Sequence, residues 1–249
     1  MTPMSNVAII GGTGLTCLGG LVITDREVVR TPWGEPSGPI THGTLGGQSV
    51  AFLARHGSGH TIPPHKVNYR ANIWALKQIG IERVVAVAAV GGIHAAFTPA
   101  AIAIPAQIVD YTWSRGHTFF ERDLTDVVHV DFTEPYCAEL RAALTRAADE
   151  AGVDALDWGT YATTQGPRLE SAAEIDKLER DGCHMVGMTG MPEAGLAREA
   201  GLRYAHCAVV ANAAAGRGQA TITMQDIQKN LETGMRSTRA LLESFLRTL

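Results

Sequence analysis

The sequence predicts an α/β fold, a three-layer α/β/α domain with a central mixed sheet over residues 1–249. Three observations carry this reading. Short branched apolar runs alternate with helical patterns along most of the chain. Between residues 21 and 55 the alternation gives way to β-rich pieces, which makes the sheet mixed. Val84–Val90 is a nearly continuous apolar run, as expected of a strand buried on both faces.

In order, Val7–Ile10 is a short strand entering Gly11-Gly-Thr-Gly14. Val22–Val29 is rich in branched residues, Thr31–Pro39 is turn material, and Ser49–Ala54 is another strand. Asn68–Gly80 places Ile73, Leu76 and Ile79 at helical spacing, with Gly80 as a stop. Ala101–Tyr111 reads as one further strand. Residues 112–134 are polar, carry Arg115, His117, Arg122 and His129, and read as a long functional loop. Pro135–Gly152 is a helix with Pro at its start. Trp158–Thr163 is a strand, Ala172–Asp181 a helix, Met185–Met188 a strand and Pro192–Ala200 a short helix. Tyr204–Ala211 is a strand, Ala213–Thr221 a Gly/Ala loop, and one long helix runs from Thr223 or Met224 to Leu246.

Bulk properties exclude several function classes. A length of 249, 45% hydrophobic residues and a formal charge of -4 fit a globular domain with a real core and no nucleic-acid partner. No apolar run is long enough for a membrane span. Met1–Asn6 lacks the basic region of a signal peptide. Cys17, Cys137, Cys183 and Cys207 are far apart and read as reduced thiols of a cytoplasmic protein. None of the histidines falls in an H-x-x-x-H or H-E-x-x-H pair, so no metal is expected.

Chemistry concentrates in the loops. Leu53–Tyr69 carries Arg55, His56, His60 and His65 in a turn between a strand and a helix. An Arg-His pair at a strand end grips anions, because guanidinium and imidazole donate hydrogen bonds in fixed directions. Gly11-Gly-Thr-Gly14 lets backbone N–H groups converge on an anion, with the Thr13 hydroxyl as a further donor. As a dinucleotide loop it lacks a third glycine opening a helix, which disfavours a nicotinamide cofactor. Gly91-Gly92 is a second place where backbone amides can meet a ligand.

Gly11-Gly-Thr-Gly14, Arg55-His56-Gly57, His60-Thr61, Asn68-Tyr-Arg-Ala-Asn72, Glu134-Pro135, Gly166-Pro-Arg168, Met188-Thr189 and Pro192-Glu193 stand in one order along the chain. Together they resemble the trimeric purine nucleoside phosphorylase and methylthioadenosine phosphorylase family, from about Val7 through the last helix. The resemblance implies phosphorolysis, in which phosphate and a purine (thio)nucleoside give the free base and a (thio)ribose 1-phosphate. It implies no cofactor beyond inorganic phosphate as co-substrate, and it implies a homotrimer.

By that resemblance the phosphate ligands fall on Thr13, Arg55, His56, the amide of Ala89, and Thr189. Ala88 departs from relatives that carry Thr or Asn there. A helix N-cap is the other reading of Thr189. Met188 is expected beneath the ribose. Relatives acting on 6-aminopurines carry Asp at the position of Asn212; relatives acting on 6-oxopurines carry Asn, whose NH2 donates to O6 while its carbonyl accepts from protonated N7. A second Asp of the 6-amino enzymes is replaced by Ala214, and Ala213 and Ala214 are expected with Asn212 at the substrate. Glu170 matches the carboxylate that accepts the N1–H of a 6-oxopurine. Adenine offers only an acceptor at N1, so it is disfavoured. The alternative structural roles are a turn cap for Asn212 and a helix cap for Glu170. His56, Glu170 and Asn212 are the expected catalytic set. His129, reaching from a neighbouring subunit, and the start of the last helix with Thr223, Met224 and Gln225 are expected at the 5′ position.

These implications add up to a 6-oxopurine (methylthio)nucleoside phosphorylase. S-methyl-5′-thioinosine is the expected substrate; inosine and guanosine compete, and methylthioadenosine follows. From other classes, a nicotinamide oxidoreductase lacks its third glycine, and a silent nucleoside-binding module is opposed by the retained Arg55, His56 and Thr189.

Overall fold

The computed structural model describes residues 6–15, 18–218 and 223–249. Expectations about the first five residues, Cys17, the end of the Gly/Ala loop and the side chain of Met224 fall outside the described residues.

The strands are β1 (Val7–Gly11), β2 (Val22–Glu27), β3 (Ile40–Leu45), β4 (Gln48–Ala54), β5 (Arg83–Gly92), β6 (Ile102–Ala103), β7 (Gln107–Asp110), β8 (Ala155–Leu156), β9 (Thr160–Thr163), β10 (Met185–Gly187) and β11 (Arg203–Ala213). The helices are α1 (Tyr69–Gln78), α2 (Ala138–Glu150), α3 (Ala172–Arg180), α4 (Gly190–Glu199) and α5 (Met224–Arg247). All the strands join one mixed sheet in the order β2-β3-β4-β1-β5-β10-β9-β7, with β11 paired to β5 and leading through β6 to β8. No helix among the described residues is long and apolar enough to cross a membrane.

Strand alternation splits the core into two layers. Val7 and Ile9 of β1 and Val85 and Val87 of β5 face Leu140 and Leu144 of α2 and Leu241, Leu242 and Phe245 of α5. Ala8, Ile10, Val84 and Ala86 face the other way, onto Ile73 and Leu76 of α1 and Ala194 and Leu196 of α4. Both faces are therefore apolar, which is why Val84–Val90 carries no polar alternation.

Four boundaries differ from expectation. The single strand expected over Ala101–Tyr111 is two strands, β6 and β7, on different arms of the sheet. Pro105 separates them, since it has no N–H to give a ladder, and its carbonyl accepts from Arg141 Nε at 2.8 Å instead. The helix expected from Pro135 starts at Ala138, because Cys137 is itself extended, at φ -67° and ψ 116°, with its N bonded to Tyr204 O at 2.8 Å. The strand expected from Trp158 starts at Thr160, after Gly159 at φ 101°. Helix α4 takes in Gly190, but Met191 inside it has φ -120° and ψ 143°, as sterics demand of a residue preceding proline.

Candidate active site

A cavity of about 370 Å³ opens where the sheet divides. On one edge, β5 pairs with β1 up to Ala86 and with β10 only from Gly91. Among the described residues no strand covers Val87–Val90 on that edge. The Val87 carbonyl faces the gap, where it accepts from Arg55, and strand alternation turns the Ala89 N–H the same way. Both Ala88 and Ala89 line the cavity.

Arg55 follows β4 and is completely buried. Its Nε and Nη2 donate to the two carboxylate oxygens of Glu193 on α4 at 2.7 and 2.8 Å, and Nη1 donates to Val87 O at 2.9 Å. The Tyr204 hydroxyl donates to the same carboxylate at 2.8 Å. Burial disfavours the charged guanidinium, but Glu193 outweighs burial and raises its pKa well above the usual value. Three of five N–H groups are used, leaving one on Nη1 and one on Nη2 for a ligand. Gly12 lies on this guanidinium: a Cβ there would stand 2.8 Å from Nη1 and from Val87 O.

His56 Nδ1 meets the Ile62 carbonyl at 2.8 Å. A carbonyl only accepts, so Nδ1 carries the proton and Nε2 of the neutral ring is an acceptor. Burial, then the charge of Arg55, lowers the His56 pKa to about 4. Thr13 and Thr189 line the same end of the cavity. Thr189 stands at the N-cap of α4 but makes no side-chain cap bond. Its amide meets the Tyr161 hydroxyl at 3.4 Å, and its buried Oγ1 lies beside that hydroxyl without a well-formed hydrogen bond. Such a group is costly unless a ligand satisfies it.

At the other end, Glu170 Oε1 accepts from Thr164 Oγ1 at 2.6 Å. The helix-cap reading of Glu170 does not hold, because Ser171 and Glu174 form the capping box of α3 themselves. Asn212 sits at an irregularity inside strand β11, not in a turn, and donates from Nδ2 to Ala213 O at 2.7 Å. Glu170, Asn212, Ala214 and Met188 all line the cavity.

Thus Thr13, Arg55, His56, Ala88, Ala89, Glu170, Met188, Thr189, Asn212 and Ala214 converge on one space. Not every expected residue joins them. Ala213 points its carbonyl at Asn212 instead. Gln225 is exposed on the first turn of α5, where Ile227 lines the cavity, and His129 is exposed in the long loop.

Sequence reasoning also missed contributors. His60 is a wall residue: its ring centroid is 4.8 Å from that of His56, and its Nε2 is 3.4 Å from Thr13 Oγ1. Histidine count alone gave no hint of this. Glu193 entered only as part of a motif, although a buried arginine requires a carboxylate somewhere in the chain.

Comparisons agree with this geometry. Residues 6–247 match the Phosphorylase superfamily. A protein of Pseudomonas syringae named probable S-methyl-5'-thioinosine phosphorylase is 55% identical, the match covering 98% of this chain and 99% of that protein. A Pyrococcus furiosus protein named 6-oxopurine nucleoside phosphorylase is 47% identical over 90% of this chain and 85% of its own. The structure of methylthioadenosine phosphorylase from Schistosoma mansoni with adenine superposes with a TM-score of 0.92 at 31% identity, covering 97% of this chain and 91% of that one. A family match over nearly the whole length, with relatives above half identity, leaves one conclusion: this chain belongs to the Phosphorylase superfamily.

Proposed function

We propose that this chain is a pentosyltransferase that cleaves a 6-oxopurine (methylthio)nucleoside with phosphate, with S-methyl-5′-thioinosine as its substrate. The products are hypoxanthine and 5-methylthioribose 1-phosphate. The observation that carries the reading is the pairing of Glu170 and Asn212 at one end of a cavity whose other end holds Arg55, His56 and Thr189.

In the reaction the C1′–N9 bond breaks and its electron pair leaves with the purine, which takes up a proton at N7, while a phosphate oxygen bonds to C1′ and monohydrogen phosphate gives up its P–OH proton, so that charge balances. Positive charge develops on the sugar, and a phosphate held beneath it stabilises that charge. Arg55 offers its two free N–H groups, Thr13 and Thr189 their hydroxyls, and Ala89 its amide. Ala88 brings no side-chain donor. The His56 Nε2 lone pair accepts from the P–OH of monohydrogen phosphate. Met188 packs beneath the ribose. Asn212 donates to O6 and accepts from protonated N7, while Glu170 accepts N1–H. No cofactor takes part beyond phosphate itself.

We further propose a cytoplasmic homotrimer. Support comes from the loop that carries His129, where Val127, Val128 and Val130 expose 74, 43 and 39% of their surface, as at a subunit contact. His129 would then reach the 5′ position of a neighbour, with Gln225 near it. The free thiols of Cys137, Cys183 and Cys207 suit a reducing compartment. Inosine and guanosine are the second reading, favoured by the 47% identity to the P. furiosus protein.

The test is base release from methylthioinosine, inosine, guanosine, methylthioadenosine and adenosine, with and without phosphate. Release is expected only with phosphate, and fastest from methylthioinosine. Faster turnover of methylthioadenosine than of every 6-oxo substrate would overturn the base assignment.

A further inference from the structure

The polar loop after β7 sends one side chain back to the cavity walls. Half-buried Arg115 forms no ion pair among the described residues; instead it spends its fork on neutral acceptors. Nη1 donates to Met188 O at 2.9 Å, Met191 O at 2.7 Å and the Tyr69 hydroxyl at 3.3 Å. Nη2 donates to Thr164 O at 3.2 Å and Gln165 O at 2.9 Å, and Nε to Gln165 Oε1 at 3.2 Å. The guanidinium also lies over the Tyr69 ring, 5.5 Å from its centroid.

These acceptors belong to three separate walls. Met188 O and Met191 O flank Thr189 and the start of α4. Thr164 holds Glu170 through its hydroxyl at 2.6 Å. Tyr69 donates to Pro64 O at 2.9 Å, fixing the segment from His60 to Pro64. No other bonds among the described residues tie all three walls to a single group. Burying a cation against carbonyls without a counter-charge is costly, and the arrangement is justified where geometry is what it secures.

We propose that Arg115 is a positioning residue that holds the Met188–Met191, Thr164–Glu170 and His60–Pro64 walls of the cavity in register, although it lines none of them. This rests on the reading of the cavity as the active site. A planar fork aims five N–H groups, one of them shared, at six acceptors in fixed directions, whereas a lysine ammonium offers three donors from one point. Arg115→Lys therefore keeps the charge and loses the clamp.

Arg115→Lys and Arg115→Ala are made and checked for folding by circular dichroism and thermal melting. Both are expected to lose about 10- to 100-fold in kcat/KM, as displaced walls misplace the reactants. The Michaelis constants for phosphate and nucleoside should both rise, and the preference for 6-oxo over 6-amino substrates should narrow. Added guanidinium should restore Arg115→Ala in part and leave Arg115→Lys unchanged. Independently of activity, amide exchange at residues 164–166 and 189–191 should quicken about tenfold or more in Arg115→Ala. Unchanged exchange overturns the proposal, as does full activity in the lysine variant. Activity lost only in proportion to unfolded protein overturns it too. A wild-type chain that fails to release base would refute the reading of the site, while the exchange measurement would still decide the role of Arg115.

Discussion

The two ends of the cavity are built differently. At the end assigned to phosphate, Arg55 lies at 0% exposure between β4 and α4, and its partners Glu193 and Val87 O, with the Tyr204 that holds Glu193, are core groups. At the end assigned to the base, Glu170 and Asn212 each make one side-chain bond, in loops and at a strand irregularity. A group set into the core cannot change without disturbing the fold, while a group on a loop can be exchanged for another. The first end is suited to keeping a reaction constant, and the second to choosing among bases.

The largest effect is expected from breaking the buried end. Glu193→Gln removes the countercharge of Arg55 and leaves a buried cation. Removing one partner of such a pair costs on the order of 3–5 kcal/mol. Urea titration should show that loss, and the Michaelis constant for phosphate should rise as Arg55 is displaced. A stability within about 1 kcal/mol of wild type would mean that the pair is not what anchors this end.

Acid should act on the same end. Burial, then the nearby Arg55, lowers His206 to about 3, and His56 is lowered to about 4 by the same causes. Both rings are neutral when folded, while their unfolded pKa is near 6.5. The unfolded chain therefore takes up protons that the folded one refuses. Stability is full above about 6.5 and falls as pH drops toward the folded values, by roughly 1.4 kcal/mol per unit for each ring. Chemical denaturation at pH 7, 6 and 5 measures the slope. In His206→Gln it should be shallower; an unaltered slope would assign the acid sensitivity to other groups.

The same contrast explains how much was legible in the sequence. Apolar runs and glycine stops locate every helix and most strands, because two-sided burial writes itself into composition; β3 and β8, short or at the sheet's outer arms, are not read from it. Pro105 and Gly159 were misread within longer strands, since the break depends on where the chain changes sheet arm. Arg55 is legible by residue type at a strand end, whereas Thr189 comes only through the family resemblance. Glu193 is not legible, because its pairing with a residue 138 positions away exists only in the fold. His60 turned into the cavity through a backbone at φ 52°, which no spacing rule signals. Arg115 stood out only as a polar loop residue.

The smallest and most discriminating change is expected at the base end. Asn212 leaves its amide free apart from the bond to Ala213 O, so replacing it should not disturb the core. Asn212→Asp, when its carboxyl is protonated, donates to N7 and accepts from a 6-amino group, which reverses the pattern a 6-oxopurine requires. One mispaired buried contact is worth about 1–3 kcal/mol, or roughly 5- to 150-fold in the ratio of kcat/KM for 6-oxo over 6-amino substrates. Glu170 keeps favouring N1–H in that variant, so the ratio should fall without inverting. Inversion by Asn212→Asp alone would mean that Glu170 does not read N1. An unchanged ratio would remove Asn212 from the base site and leave the choice of base to Glu170. The phosphate Michaelis constant should stay constant throughout, because Asn212 shares no hydrogen bond with Arg55, His56 or Thr189; if it moved with the base ratio, the two ends would be coupled.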